Sequence, residues 1–233
     1  MKTIACPTSP EVHEIVHIPV NTRDLDAELH LPAGAQGIVI FAHGSGSSRH
    51  SPRNQFVAQV IRDAGLGTLL LDLLTQREET EDAQTQHLSF DVEMLAGRLV
   101  AVTQWINQHP DTSELPVGYF GASTGGGAAL LAAARLGKKV GAIVSRGGRP
   151  DLAGRALSRV KSPTLLIVGG NDDVVLGLNE TALACMNCEK ELRVVTGATH
   201  LFEEPGKLEQ VAQLSAEWFC RHLAASAEWR AGA

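Results

Sequence analysis

Short runs of apolar, β-branched residues alternate with longer stretches of helical periodicity almost from one end of the chain to the other. That alternation predicts an α/β fold, a mostly parallel sheet covered by helices on both faces. Val12 to Ile18 and Ala27 to Leu31, separated by the turn residues Asn21 to Asp24, predict an antiparallel hairpin. Continuous apolar runs follow at Gly37 to Ala42, Gly67 to Asp72, Pro116 to Phe120, Val140 to Ser145, Thr164 to Gly169 and Leu192 to Val195, each suited to a strand buried on both faces. That makes eight strands. Helical periodicity occupies Pro52 to Ala64, Phe90 to Gln108, Thr124 to Leu136, Gly177 to Met186 and Lys207 to Leu223. The connection from Ser145 to Pro163 leaves no room for a cap domain, so a site at the carboxyl edge of the sheet is expected to be open. The 233 residues are read as one domain, with residues 224–233 as a frayed tail.

Composition narrows the partners. The chain carries 20 basic and 26 acidic side chains, a net charge of −6, and no stretch gathers the basic ones into a stripe for a phosphate backbone, so no nucleic acid is expected. The longest apolar stretch, Gly125 to Ala134, falls well short of the roughly 18 residues of a membrane span. Lys2 is followed by Cys6, Pro7 and Pro10 rather than by an apolar leader, and the expected compartment is the cytoplasm. The four cysteines, Cys6, Cys185, Cys188 and Cys220, are too few for a disulfide framework; Cys185 and Cys188 form a C-x-x-C with no second pair at zinc spacing, and no metal is expected.

The chemistry concentrates in Gly121-Ala122-Ser123-Thr124-Gly125, where a strand runs straight into a small-residue helix through G-x-S-x-G. A serine lifted clear of a sheet edge needs a turn so tight that side chains two positions before and after it would collide. The turn also aims the amino end of the helix at any negative charge that develops beside Ser123. The α/β-hydrolase order along the chain is nucleophile, acid, base. Asp172 follows a buried strand within Gly169-x-x-Asp172-x-x-Val175 and is taken as the acid, with Asp173, which also suits a helix cap, as its competitor. His200, in the loop beyond the last strand, is the one of nine histidines with the base's place in that order. These residues predict acyl transfer, with the Thr124 N–H as one oxyanion donor. The second donor is expected from the loop His43-Gly44-Ser45-Gly46, from Ser45 first and Gly46 next, and Gly46 is also placed against the substrate.

Other motifs compete. Gly44-x-Gly46-x-x-Arg49 is two thirds of a dinucleotide fingerprint, with Asp72 in the place of a ribose-binding acid, which would make an NAD-dependent oxidoreductase. Arg49 stands where the third glycine belongs, and a hairpin precedes the strand that should open such a fold. His13-Glu14-Ile15-Val16-His17 spells H-E-x-x-H, but Pro10 and Pro19 bracket it and its β-branched residues favour a strand. A non-catalytic binding module would leave three residues in catalytic order without work. Arg146 and Arg149, beyond the sixth strand, are candidates to hold an anionic substrate group; Arg49, Arg53 and Arg77 are weaker ones.

With these motifs in view, the chain resembles the dienelactone hydrolase-like branch of the α/β-hydrolase superfamily. The likeness rests on Phe41-Ala42-His43-Gly44, Phe120-Gly121-Ala122-Ser123-Thr124-Gly125, Ser145 to Asp151 and Thr199-His200-Leu201-Phe202. It implies a small, capless serine hydrolase that takes esters or lactones, needs no cofactor and carries a side activity on phosphotriesters. Relatives of this kind also occur fused to phosphoribosyltransferase domains. Dienelactone hydrolases proper have a cysteine nucleophile where this chain has Ser123.

Overall fold

The computed structural model describes residues 10–231, with side chains described through Leu223. Lys2, Cys6 and Pro7 lie outside the described part. The hairpin comes first: β1 (Val12–Val20) and β2 (Arg23–Leu31) pair antiparallel through a two-residue turn at Asn21, whose φ of 56° is the left-handed conformation asparagine tolerates. β2 starts earlier than its apolar run because Leu25 and Ala27 alternate inward between polar neighbours. The remaining strands are β3 (Ile38–Ala42), β4 (Gly67–Leu71), β5 (Val117–Ala122), β6 (Val140–Arg146), β7 (Thr164–Gly169) and β8 (Lys190–Val195). They form one eight-stranded sheet in the order β1-β2-β4-β3-β5-β6-β7-β8, parallel from β4 to β8.

The sheet is buried on both faces by α1 (Pro52–Asp63), α2 (Gln76–Thr85), α3 (Val92–Ile106), α4 (Thr124–Leu136), α5 (Asp173–Cys185) and α6 (Lys207–Ala231). Successive strand residues point to opposite sides, so β3 sends Ile38 and Ile40 into one core and Val39 and Phe41 into the other. The first core meets Leu95 and Leu99 of α3 and the alanines of α4; the second meets Val57 and Ile61 of α1 and Phe219 of α6. Among the described residues no cap domain intervenes; Pro150–Arg159 is a tight helical segment packed on α4. α6 runs on to Ala231 instead of ending at Leu223, since Ala224, Ala225 and Ala227 favour helix and no Gly or Pro interrupts. Among the described residues no helix is long and apolar enough to cross a membrane.

This strand order creates the crevice that matters. From β3 the chain leaves through α1 on one face, and from β5 it leaves through α4 on the other, so the two exits diverge at adjacent carboxyl ends. His43, directly after β3, locks that edge. Its Nε2 accepts the Leu73 N–H at 2.9 Å, so the proton is on Nδ1, which donates to the Gly44 carbonyl at 2.9 Å.

α2 is the element that hydrophobic periodicity does not announce, because a helix with Gln, Arg, Glu and Asp on most positions has no apolar stripe. Its signal is at the start instead. Thr75 accepts from the Glu78 N–H and the Glu78 carboxylate accepts from the Thr75 N–H, the T-x-x-E box legible in the sequence. Glu78 is buried, gripped by Arg98 of α3 at 2.8 and 2.6 Å and by Arg23 of β2.

Burial pushes the His43 imidazole below its ordinary value, against the Gly44 carbonyl and the Asp72 charge, which favour the cation. The unfolded chain therefore takes up a proton at His43 that the fold refuses. This contribution to stability is complete above about pH 6.5 and is lost as the pH falls through and below that value. In urea melts between pH 7.5 and 5.5, the wild type should lose more stability than His43→Gln; equal losses would mean that another group sets the slope.

Candidate active site

At the end of β5 the backbone turns sharply into α4, and Ser123 sits at the corner with φ 50° and ψ −123°. A non-glycine residue held there costs of order 1–3 kcal/mol, which the surroundings supply. The Ser123 N–H donates to the Arg146 carbonyl at 3.2 Å, and the Ser123 carbonyl accepts from Gly126 at 3.0 Å and Arg149 at 2.9 Å. The flanking glycines are steric necessities. A Cβ on Gly125 would collide with the Ala42 carbonyl oxygen, and one on Gly121 would lie 2.5 Å from the Gly126 Cα. The loop after β3 crowds the serine in the same way: a Cβ on Gly44 would stand 2.9 Å from the Ser123 Cβ.

The other two residues meet across the neighbouring loops. His200 Nδ1 lies 2.6 Å from Asp172 Oδ2, with the histidine side chain 39% exposed and the aspartate 15%. Asp172 occupies the cap position of α5 yet makes no cap hydrogen bond, its carboxylate being turned to the imidazole, whereas Asp173 is an exposed residue of the first turn. The carboxylate accepts from Nδ1–H, which leaves Nε2 unprotonated and able to take a proton. The loops that carry the pair are sewn together by Asn171 N–H to the Ala198 carbonyl at 2.9 Å and Gly170 N–H to the Val195 carbonyl at 2.9 Å. Phe202, buried beyond His200, anchors the far end. The imidazole lies against Gly147, one residue past Arg146, the partner of the Ser123 N–H. Among the described residues Ser123 Oγ makes no hydrogen bond to His200; such bonds commonly tighten when substrate enters.

Thr124 opens α4, so its N–H has no acceptor within the helix. The Ser45 N–H donates to Thr124 Oγ1 at 3.1 Å, which sets the two expected oxyanion donors side by side. A cleft of about 680 Å³ begins at these two residues and Gly46 and extends between α1 and α2, past Arg53, Leu74, Glu79 and Gln86. One wall of it is α2, the element without an apolar stripe.

The arginines divide. Arg149 forms a two-pronged pair with Asp151, at 2.9 and 2.7 Å, so the substrate clamp expected of it is corrected: its guanidinium is already committed two residues away, and only its backbone serves the elbow. Arg146 is different. It is buried, its guanidinium carbon lies 6.0 Å from the Phe120 ring centre, and its Nη1 meets no hydrogen-bond partner among the described residues. Burial and the neighbouring Arg53 charge push its guanidinium down to about 10.

Geometry also decides the competing motifs. Asp72, the would-be ribose acid, accepts the Arg49 N–H at 2.7 Å and pairs with the Arg49 guanidinium, so its carboxylate is spent on pinning the loop. His13 and His17 lie on β1, where His13 bonds Glu28 at 2.9 Å and His17 bonds Asp26 at 2.7 Å, each imidazole taken by a different cross-strand carboxylate. Cys185 and Cys188 carry free thiols.

Comparisons with known proteins agree with this architecture. The solved structure of a dienelactone hydrolase from Anabaena variabilis is 57% identical, covering 91% of this chain and 99% of its own, with a TM-score of 0.90. Est1E from Butyrivibrio proteoclasticus shares the fold at 16% identity, covering 89% of this chain and 98% of its own, with a TM-score of 0.73. A Mycobacterium tuberculosis (strain H37Rv) protein provisionally named a phosphoribosyl transferase is 57% identical over 210 residues, which are 90% of this chain and 46% of that protein. The chain thus spans about half the length of the curated relatives it matches. The profile of the Dienelactone hydrolase family matches residues 25–229. With that match and the sheet order above, the chain belongs to the dienelactone hydrolase family, hydrolases of ester bonds built on the α/β-hydrolase fold.

Proposed function

We propose that the chain hydrolyses carboxylic esters or lactones through an acyl-enzyme, with Ser123 as nucleophile, His200 as general base and acid, and Asp172 as the carboxylate that orients the imidazole. The observation that carries this reading is the strained Ser123 at the end of β5 beside a His200–Asp172 pair 2.6 Å apart on the same sheet edge. In the first half-reaction His200 Nε2 takes the Ser123 proton as Oγ bonds to the carbonyl carbon, and then gives it to the leaving alcohol. Water repeats the sequence on the acyl-enzyme. Asp172 stabilises the imidazolium in both halves. The oxyanion accepts from the Thr124 N–H and from the Ser45 N–H, which gives up its 3.1 Å bond to the neighbouring Thr124 Oγ1 as substrate enters, each donor worth on the order of 3 kcal/mol of barrier. Every proton and bond in these steps comes from substrate, water and this chain.

The same donors suit the phosphoryl oxygen of an activated phosphotriester, and the cleft is open enough to admit one, which supports a side activity on that class. The unpartnered Nη1 of Arg146 supports a substrate with an anionic substituent, because a buried cation without a counter-charge gains most from one. The transferase name of the curated relatives belongs to proteins about twice as long and is not carried over.

With p-nitrophenyl acetate, Ser123→Ala should lower kcat by roughly 10^4-fold or more while the circular dichroism spectrum stays that of the wild type. Retained turnover would remove Ser123 from the chemistry. For an ester bearing a carboxylate, Arg146→Gln should raise KM by about tenfold, with little change for a neutral ester of the same size; equal changes for both would end the anion reading.

A further inference from the structure

Between α2 and the active site runs a chain of hydrogen bonds that the mechanism above does not use. It begins at Asp82, a buried residue on the inner face of α2. One carboxylate oxygen of Asp82 accepts two backbone N–H groups, Leu88 at 2.7 Å and Ser89 at 3.2 Å, and so closes the loop that follows the helix. Ser89 is itself buried, and its hydroxyl meets the Ser45 hydroxyl at 2.7 Å. The Ser45 N–H in turn reaches Thr124 Oγ1 at 3.1 Å, next to the nucleophile.

Resting on the catalytic reading above, we infer that Ser89 is a positioning residue for the oxyanion site: through its hydroxyl bond to Ser45, the Asp82-closed loop of α2 fixes the backbone donor of that loop. The need for such a tether is local. Ser45 lies between Gly44 and Gly46, and Gly46 takes a φ of 68° and would meet nothing within 4 Å if it carried a Cβ, so side-chain packing does not hold the loop at Gly46. His43 and the Ser47 N–H both bond the Gly44 carbonyl, which fixes the residue before Ser45. On the far side of Ser45 the loop is next pinned at Arg49 by Asp72, and at Ser45 itself the side-chain bond to Ser89 adds the restraint closest to the donor. An oxyanion donor must be held within reach of the developing charge, here beside Thr124, and a misplacement of about 1 Å can cost on the order of 100-fold. The tether is itself rigid, because Glu78, one turn before Asp82, is held by Arg98 and Arg23.

The readout must separate a donor held in place from a merely intact fold. With p-nitrophenyl acetate, Ser89→Ala should lower kcat about tenfold while KM changes less than twofold, since the lost interaction acts in the transition state. Affinity for a trifluoromethyl ketone, whose hydroxyl adduct carries the oxyanion, should fall by the same factor, with Tm within a few degrees of the wild type. Ser45→Ala, on the solvent side of the same bond, should match it, and the double variant should lose no more than either single one, because both remove one interaction. Wild-type kcat in Ser89→Ala, or losses that multiply in the double variant, would overturn the positioning role and leave the proposed hydrolysis standing. Absence of turnover in the wild type with every activated ester would overturn both.

Discussion

The constraint on which the rest depends is backbone pressed against backbone at the carboxyl ends of β3 and β5. Ser123 leaves the sheet only because β5 turns into α4 within a residue, and that turn closes only because Gly121 and Gly125 let main chain touch main chain where any side chain would intrude. The strain at Ser123 is offset by three backbone hydrogen bonds, one to Gly126 within the turn and two to Arg146 and Arg149 at the end of β6 and just beyond it. One consequence is positional: the corner at Ser123 also brings the free amino end of α4 beside it, so the proposed nucleophile and one proposed oxyanion donor come from a single turn.

Around that corner the structure spends its buried polar groups on fixing loops. His43 ties the ends of β3 and β4, Asp72 and Arg49 tie the loop after β3, and Glu78 with Arg98 ties α2 to α3. Each is a polar group largely removed from water and hydrogen-bonded, which favours one arrangement over near alternatives. Arg146 differs in that it is buried with no carboxylate paired to it among the described residues, and its Nη1 meets no hydrogen-bond partner there.

Much of this was legible in the sequence, for reasons that differ by element. The strands were legible because burial on both faces demands unbroken apolar runs, and Thr164-Leu-Leu-Ile-Val-Gly169 has no other comfortable reading. The Ser123 corner and the His200–Asp172 contact were legible because the elbow fixes its glycines and the proposed chemistry fixes the order of the three residues. α2 escaped because its burial runs through Glu78 and Asp82, polar residues that periodicity counts as exposed, although the Thr75-to-Glu78 box was in plain sight. The fate of the arginines was beyond any linear reading. Arg149 and Arg146 are three positions apart in similar surroundings, yet only Arg149 has a carboxylate two residues on and within reach. The Ser89-to-Ser45 bond joins residues 44 apart through hydroxyls that carry no periodic signal.

The account's central claim is that one hydroxyl, one imidazole and two backbone donors act on the same carbonyl. A crystal structure of the protein after reaction with paraoxon tests this most directly. The account predicts a diethylphosphoryl group on Ser123 Oγ, its phosphoryl oxygen about 3 Å from both the Thr124 and Ser45 nitrogens, and the His200 imidazole facing the bridging oxygen. Phosphorylation at another residue, or a phosphoryl oxygen turned away from both nitrogens, would contradict it.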